Sequence, residues 1–176
     1  GENMKPETAW REYPRPQLVR GQWINLNGLW DYAVTPKNAE APQTWDGQIL
    51  VPFALESSLS GVGRMLEPSE LLWYRRTFEH KPVKNQRLLL HFGAVDFRTQ
   101  VWINGIEVTD VPNESGNLPF TLDITGAAKA GVNELVLSVW DPSNEGQQSV
   151  GKQTLKPHGC MYTRVSGIWQ TAWLES

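Results

Sequence analysis

The sequence has few of the residues that form cross-links or bind metal ions. Cys160 is the only cysteine, so an intrachain disulfide is impossible and the core must hold the fold. The three histidines, His80, His91 and His158, lack the spacing of zinc ligands. We therefore expect no metal and no cofactor, while a structural calcium ion, which needs no linear motif, stays open. The missing disulfides suit the cytosol and a bacterial periplasm equally, which leaves the compartment open.

Clustered basic charge and long apolar runs are also missing. The 16 Lys and Arg against 19 Asp and Glu give a formal net charge of -3, whereas a nucleic-acid-binding domain carries a basic patch. No apolar run approaches the roughly 18–20 residues that span a bilayer, and the N-terminus lacks the charged and apolar regions of a signal peptide. We expect no nucleic-acid partner and no membrane partner, and a neutral ligand suits this surface better.

The pattern that is present is a series of short strands separated by turn residues. The length of 176 residues fits one domain, so we predict an extended lead-in over residues 1–16 and a single β-sandwich over residues 17–176. The predicted strands are 29–34, 49–53, 73–78, 87–95, a hairpin around 104–105, 118–124, 134–140 and 168–174. No segment of helical period exceeds two turns. About eight strands without helices predict an all-β jelly roll of two antiparallel sheets.

The strand period predicts which residues share a face. In segment 87–95, Leu88, Leu90 and Phe92 lie on one face and His91 on the other. The Asn-Gly dipeptide at 104–105 indicates a two-residue hairpin turn. This turn pairs Ile103 with Ile106, Val101 with Val108, and Trp102 with Glu107. The first two pairs then lie on one face of the hairpin and the third on the other.

Several segments resemble one known family. These are "HFGAVDFRTQVWINGIEV" from His91, "LPFTLDIT" from Leu118 and "RVSGIWQTAWLE" from Arg164, preceded by "NLNGLWDY", "VPFALESSLSGVG" and "LWYRRTFE". Together they resemble the N-terminal sugar-binding domain of glycoside hydrolase family 2, the family of β-galactosidases, β-glucuronidases and β-mannosidases. The resemblance covers residues 14–176, and it independently implies a jelly roll of the galactose-binding-domain-like class.

The resemblance also implies that the catalytic residues lie in a different domain. Family members carry their two catalytic glutamates in a C-terminal (β/α)₈ barrel, which alone needs about 250 residues. We therefore expect this chain to be a fragment of a retaining glycosidase, a β-galactosidase of carbohydrate metabolism, that is inactive on its own. Its expected partners are a β-glycoside and the remaining domains of the parent enzyme. A periplasmic or secreted bacterial enzyme fits this interpretation.

The acidic residues offer no clear catalytic pair. Hydrolysis of a glycoside normally needs two carboxyl groups, about 5–5.5 Å apart for retention or about 6.5–9.5 Å apart for inversion. Asp96, Asp110, Asp123 and Asp141 all fall at strand ends or turns. Asp141 opens an Asp-Pro turn, where a side chain commonly caps its own backbone. We predict structural roles for all four and no catalytic residue in this chain.

Three loops are the candidates for a substrate-pocket rim or an interdomain contact, as implied by their positions in the family. They are residues 60–68, 111–117 and 151–164. Their polar side chains, which can orient sugar hydroxyls by hydrogen bonds, are those of Arg64, Asn113, Glu114, Lys152, Gln153, His158 and Arg164. Solvated side chains or interdomain ion pairs are the simpler interpretation of each of these residues.

Nine tryptophans leave two further hypotheses open. Most tryptophans are buried in cores, and we assign about four in five of these to the core. Trp10, Trp23 and Trp45 lie in irregular segments and are the better candidates for contact with a partner. Outward rings at Trp102 and Trp140 would favour an autonomous carbohydrate-binding module, and an apolar surface without a polar pocket would favour a purely structural interaction domain.

Overall fold

The structure, a computed structural model, describes residues 23–110, 112–142 and 165–176, which are built almost entirely from β-strands. The one helical element among these residues is a 3₁₀ turn at Ser58–Ser60. No helix in this part of the chain is long and apolar enough to cross a membrane. The strands are β1 (Trp23–Asn25), β2 (Gly28–Pro36), β3 (Gly47–Val51), β4 (Glu70–His80), β5 (Leu89–Phe92), β6 (Val95–Asp96), β7 (Arg98–Ile103), β8 (Ile106–Glu107), β9 (Asn113–Glu114), β10 (Phe120–Asp123), β11 (Gly131–Trp140), β12 (Gly167–Ile168) and β13 (Ala172–Glu175).

The strands form two main antiparallel sheets and one short ribbon. The larger sheet has the order β3-β2-β4-β11-β7-β8, with β9 beside the start of β7. The smaller sheet has the order β1-β13-β5-β10, and β12 pairs with β6. The predicted all-β fold of the galactose-binding-like class is confirmed. The predicted lead-in, residues 1–16, lies outside the described residues.

The core lies between the inward faces of the two main sheets. Alternate side chains of each strand point inward, as the two-residue strand period requires. The buried side chains stabilise the fold by about 1.5–3 kcal/mol for each large apolar group. From the larger sheet they include Leu72, Tyr74, Phe78, Val101, Ile103, Leu135, Leu137 and Val139, and from the smaller sheet Leu90, Phe92, Ala172 and Leu174.

The hairpin has the predicted register. Trp102 lies opposite Glu107, Ile103 lies opposite Ile106, and the Val108 amide donates to the Val101 carbonyl at 2.9 Å. The residues at 104 and 105 have φ of 52° and 80°, the left-handed values that a two-residue turn of this type needs. Ile106 is nevertheless 54% exposed, because the short strand β8 forms the sheet edge next to the turn.

The predicted strands 87–95 and 168–174 are each divided in two. The first becomes β5 and β6, which flank Gly93 and Ala94, and the second becomes β12 and β13. Each division marks the point where the chain passes between the smaller sheet and the β6–β12 ribbon. The prediction of about eight strands was therefore too low, since the described residues contain thirteen. The very short strands β1 and β9 were also missed.

Candidate functional site

One end of the sandwich collects the loops that carry most of the polar contacts. Strands β2 and β11 end there, and β4 and β7 begin there, as the pairs Pro36 with Glu70 and Trp140 with Arg98 show. We call this region the loop end. It comprises residues 52–69, 96–98, 109–110, 112–118, 141–142 and 165–167.

Ser166 joins two carboxylates at the loop end. Its Oγ lies 2.6 Å from Oε2 of Glu56 and 2.7 Å from Oδ2 of Asp141, and its amide donates to Oε1 of Glu56 at 2.7 Å. Asp141 is only 1% exposed, because β11 delivers it on the inward face after Val139. This burial supports the predicted structural role of Asp141, whose hydrogen-bond partner Ser166 lies 25 residues away.

This carboxylate pair is not arranged for glycoside hydrolysis. The reaction needs a substrate between an acid and a nucleophile or base, and here the Ser166 hydroxyl lies between the two groups. The Ser166 hydroxyl lies within hydrogen-bond distance of both carboxylates and its amide donates to Glu56, and these contacts hold the loop after β3 against the end of β11. Elsewhere in the described ranges, no three His, Cys, Asp or Glu side chains lie together as a metal site would require.

Tyr74 and Gly167 meet directly behind this cluster. The Tyr74 hydroxyl accepts from the Ile168 amide at 2.9 Å, and burial, with a smaller contribution from Glu56, raises the Tyr74 pKa well above its ordinary value. Gly167 has φ of +86°, and a Cβ there would collide with the Tyr74 hydroxyl. Residue 167 must therefore be glycine for the chain to pass this point.

Of the predicted rim residues, Arg64 has an ion-pair partner. Its Nη2 lies 3.0 Å from both carboxylate oxygens of Glu70, at the start of β4. Oε1 of Glu70 also accepts from the Glu67 amide. Arg64 remains exposed at the surface of the loop end, so it can still reach a neighbouring group by breaking a pair of modest strength.

Asn113 and Glu114 form β9 and thus belong to the larger sheet. Glu114 lies opposite Arg98 and pairs with it at 3.4 Å, and Asn113 lies opposite Thr99. Asn113 Nδ2 and Thr99 Oγ1 are both buried without a hydrogen-bond partner among the described residues. No sequence signal marks this pair of polar atoms, because the short strand β9 has no apolar alternation.

The remaining predicted rim residues, Lys152, Gln153, His158 and Arg164, lie outside the described residues. The structure brings Arg64, Asn113 and Glu114 to the same end of the sandwich. Arg64 pairs there with Glu70 of β4, and Glu114 pairs with Arg98 of β7. Trp10 also lies outside the described part, and Trp23 and Trp45 are half-buried.

The outward face of the larger sheet carries three tryptophans whose rings are only partly exposed. Trp73 is 4% exposed and stacks on Trp102, with ring centroids 5.7 Å apart. Lys37 places its Nζ 3.7 Å from the centroid of the Trp140 ring, and the Trp140 indole donates to the Pro68 carbonyl. The Trp102 and Trp140 rings point outward, as predicted, but each already has a neighbour against one of its faces.

Arg75, on the same outward face, forms ion pairs that join three strands of the larger sheet. Arg75 Nε donates to Glu134 at 2.6 Å and its Nη1 to Asp31 at 3.1 Å. The hydrogen bond to Glu134, followed by that to Asp31, raises the Arg75 pKa further. Arg76 points the other way, donates to the Leu26 carbonyl, and has its pKa lowered by burial.

His91 lies on the outward face of the smaller sheet, as predicted, yet it is buried. Its Nδ1 lies 2.7 Å from Thr121 Oγ1 and its Nε2 lies 2.8 Å from Glu175 Oε1. The ring stacks on Trp173 with centroids 4.7 Å apart. These contacts tie β10, β5 and β13 together, so His91 has a structural role in the smaller sheet.

Known proteins resemble this chain in sequence and in fold. Residues 67–170 match the sequence model of a family described as glycosyl hydrolase 2 galactose-binding domain-like. A β-glucuronidase of Paenibacillus borealis is 28% identical over 126 residues, which cover 68% of this chain and 21% of that protein. The chain thus spans about a fifth of the length of the curated relatives that it matches.

Solved structures show the same fold. A β-glucuronidase of Ruminococcus gnavus superposes with a TM-score of 0.64 at 24% identity, over 93% of this chain and 29% of that one. A β-D-mannosidase from Dictyoglomus thermophilum also gives a TM-score of 0.64, at 16% identity over 89% of this chain and 23% of that one. At these identities the likeness shows the sandwich fold alone.

Proposed function

Because the chain belongs to the galactose-binding domain-like family of glycosyl hydrolase 2, we propose that it is a noncatalytic domain of a retaining β-glycosidase. It packs on a catalytic barrel and shapes the sugar pocket of that barrel. The observation that carries this proposal is the Glu56–Ser166–Asp141 cluster, in which Ser166 and Asp141 are buried. Both carboxylates face the Ser166 hydroxyl, so this pair is not placed on either side of a substrate.

The contribution of the domain to the reaction is positional. The loop end presents Arg64 and the β9 residues as a polar rim, while acid and nucleophile come from the barrel. Holding a sugar in one orientation lowers the entropic cost of reaching the transition state. The Ser166 cluster and Gly167 keep the loop end in one shape, so the rim is positioned before substrate binds.

The substrate that we propose is a β-glucuronide. The support for this choice comes from the relatives, two of which are named as a β-glucuronidase and a putative β-glucuronidase. A β-galactoside, predicted from the sequence, is the alternative, and a β-mannoside is a third candidate because of the mannosidase with the same fold. The chain's own rim residues do not distinguish among these sugars.

A scaffold role fits the outward tryptophans better than an autonomous carbohydrate-binding module does. A module that recognises sugars by stacking needs aromatic faces that are free. Here Trp102 stacks on Trp73 and the Trp140 ring lies under Lys37. A purely structural interaction domain is the remaining alternative, and it would leave the rim side chains without effect on substrate binding.

Activity assays separate these roles. The purified chain should not hydrolyse nitrophenyl β-D-glucuronide, β-D-galactoside or β-D-mannoside, and reproducible turnover would contradict the noncatalytic assignment. In the full gene product, Arg64→Ala should raise KM several-fold with little change in kcat, because the rim binds and does not react. The matched control Arg87→Ala, at the opposite end of the sandwich, should leave KM unchanged. Equal KM values for both variants would instead favour the purely structural role.

A further inference from the structure

A small groove on the outward face of the larger sheet has the chemistry of a binding site. It measures about 150 Å³ and is lined by Lys37, Leu71, Arg98, Gln100, Ser138 and Trp140. Register explains why these side chains meet. Residue 140 lies beside 98, and residue 138 lies beside 100, on the same face of β11 and β7. Apart from Lys37, which follows β2, the lining residues belong to strands of the sheet, where side chains are held more precisely than on loops.

Two cations lie in this groove of an otherwise acidic chain. Lys37 has no carboxylate within ion-pair distance in the described part of the chain, and its ammonium is held over the Trp140 ring at 3.7 Å. Arg98 pairs only with Glu114 there, and at 3.4 Å this is the longest of the ion pairs found among the described residues. The Trp140 indole is held by its hydrogen bond to the Pro68 carbonyl. It therefore positions the Lys37 ammonium, which has no carboxylate partner among the described residues.

The floor and wall of the groove suit a polyhydroxylated ring. Ser138 is 3% exposed, and its hydroxyl makes no hydrogen bond to another described residue. Gln100 donates to Glu107, which leaves its amide oxygen able to accept from a sugar hydroxyl. Leu71 adds an apolar surface against which sugar C–H groups can lie.

We propose that this groove binds an acidic sugar, with the carboxylate between Lys37 and Arg98 and the hydroxyls facing Ser138 and Gln100. The site goes beyond the proposed function, because its side chains lie on the outward sheet face beside the loop end, and none of them is among the residues that we assign to the rim. The groove is small and open, so it recognises a single sugar residue and its affinity is on the order of 1 mM.

Titration of the labelled chain, followed by amide chemical shifts, tests the proposal. D-Glucuronate should shift the amides around residues 37, 98–100 and 138–140 with half-saturation in the low millimolar range. Glucose, which has the ring without the charge, should bind at least ~5-fold more weakly. Acetate, which has the charge without the ring, should also bind at least ~5-fold more weakly. Equal binding of glucose or acetate would overturn the proposal, as would the absence of saturable shifts.

Matched variants locate the site. Lys37→Met should weaken glucuronate binding at least ~5-fold, whereas Lys37→Arg should retain it, because the second variant keeps the charge and the contact with Trp140. Lys84→Met, in the exposed turn before β5, is the control and should bind like the parent chain. Unchanged binding in Lys37→Met, in a variant whose amide spectrum shows a folded protein, would overturn the proposal. Failure of this test leaves the noncatalytic role intact, since that role is argued from Arg64 and the Ser166 cluster, none of which lines the groove.

Discussion

Asn104 donates a hydrogen bond from its Nδ2 to Oδ1 of Asn133 at 2.8 Å, across the gap between two turns. Oδ1 of Asn104 in turn accepts from the Glu134 amide. Nδ2 of Asn133 donates to the carbonyls of Lys129 and Gly131, and its Oδ1 also accepts from the Lys129 amide. The buried Asn133 side chain is thereby saturated, and it ties the β7–β8 hairpin to the start of β11.

Asn133→Asp should destabilise the fold by about 3 kcal/mol, since it replaces two donors by a buried negative oxygen facing two carbonyls. Urea unfolding of the variant measures the loss. The control is Asn117→Asp, at an exposed position where no described contact uses the side-chain amide, and it should change stability by less than about 0.5 kcal/mol. Equal midpoints for both variants would contradict the role of Asn133.

Ser166→Ala should cost about 2 kcal/mol, because it leaves two carboxylates facing each other without the hydroxyl between them. The measurement is again the urea midpoint, compared with Ser58→Ala, whose exposed hydroxyl has no hydrogen bond to a described residue. A loss no larger than that of the control would show that the cluster does not hold the loop end.

Gly167→Ala should destabilise the protein by at least about 3 kcal/mol, whereas Gly105→Ala should cost about 1 kcal/mol. Both residues have left-handed φ values of 86° and 80°, so both pay the backbone strain of an L residue. Only position 167 adds a collision with the Tyr74 hydroxyl, since nothing lies near a Cβ at position 105.

The second substitution Tyr74→Phe keeps this prediction testable where Gly167→Ala alone fails to fold. Removal of the hydroxyl opens space for the new methyl group, so the double variant should recover part of the lost stability. A double variant no more stable than Gly167→Ala would locate the constraint in the backbone or at Leu72, whose Cδ2 lies 2.9 Å from the same Cβ position.

Tyr74 should make the protein lose stability at alkaline pH. Burial raises the Tyr74 pKa in the folded state, so the unfolded chain releases this proton first as pH rises. The contribution of the protonated Tyr74 to the free energy of unfolding is fully present below about pH 10. Above that pH it falls by about 1.4 kcal/mol per pH unit. Tyr74→Phe should lack this slope, while being about 1 kcal/mol less stable at neutral pH because the Ile168 amide loses its acceptor.

Urea unfolding at several pH values between 8 and 11 measures the two slopes. Tyr32→Phe, on the neighbouring strand, is the comparison and should retain the slope that Tyr74 causes. Parallel pH curves for the parent chain and Tyr74→Phe would rule out the proposed linkage.

The sequence was sufficient for features that depend on neighbouring residues. The Asn-Gly turn set the register of the hairpin, and alternation placed Leu90 and Phe92 inside and His91 outside. These are local effects, because turn geometry and the two-residue period act over a few residues.

The features that the sequence did not reveal depend on contacts between distant segments. Ser166 meets Glu56 across 110 residues, and no local pattern marks either residue as a partner of the other. The outward His91 is buried because Trp173, Thr121 and Glu175 cover it. Strand β9 was missed for a different reason: two residues are too few to show a period.

The position of β13 has a consequence for synthesis of the domain on the ribosome. This strand lies inside the smaller sheet, between β1 and β5, and residue 23 pairs with residue 175. The larger sheet has all of its strands once residue 140 has emerged. In the smaller sheet β5 can then pair with β10, but the strand that connects β1 to β5 is missing until residues 172–175 are also free. The nascent domain therefore carries a half-covered core through the last part of its translation, a period in which chaperones and misfolding compete for it.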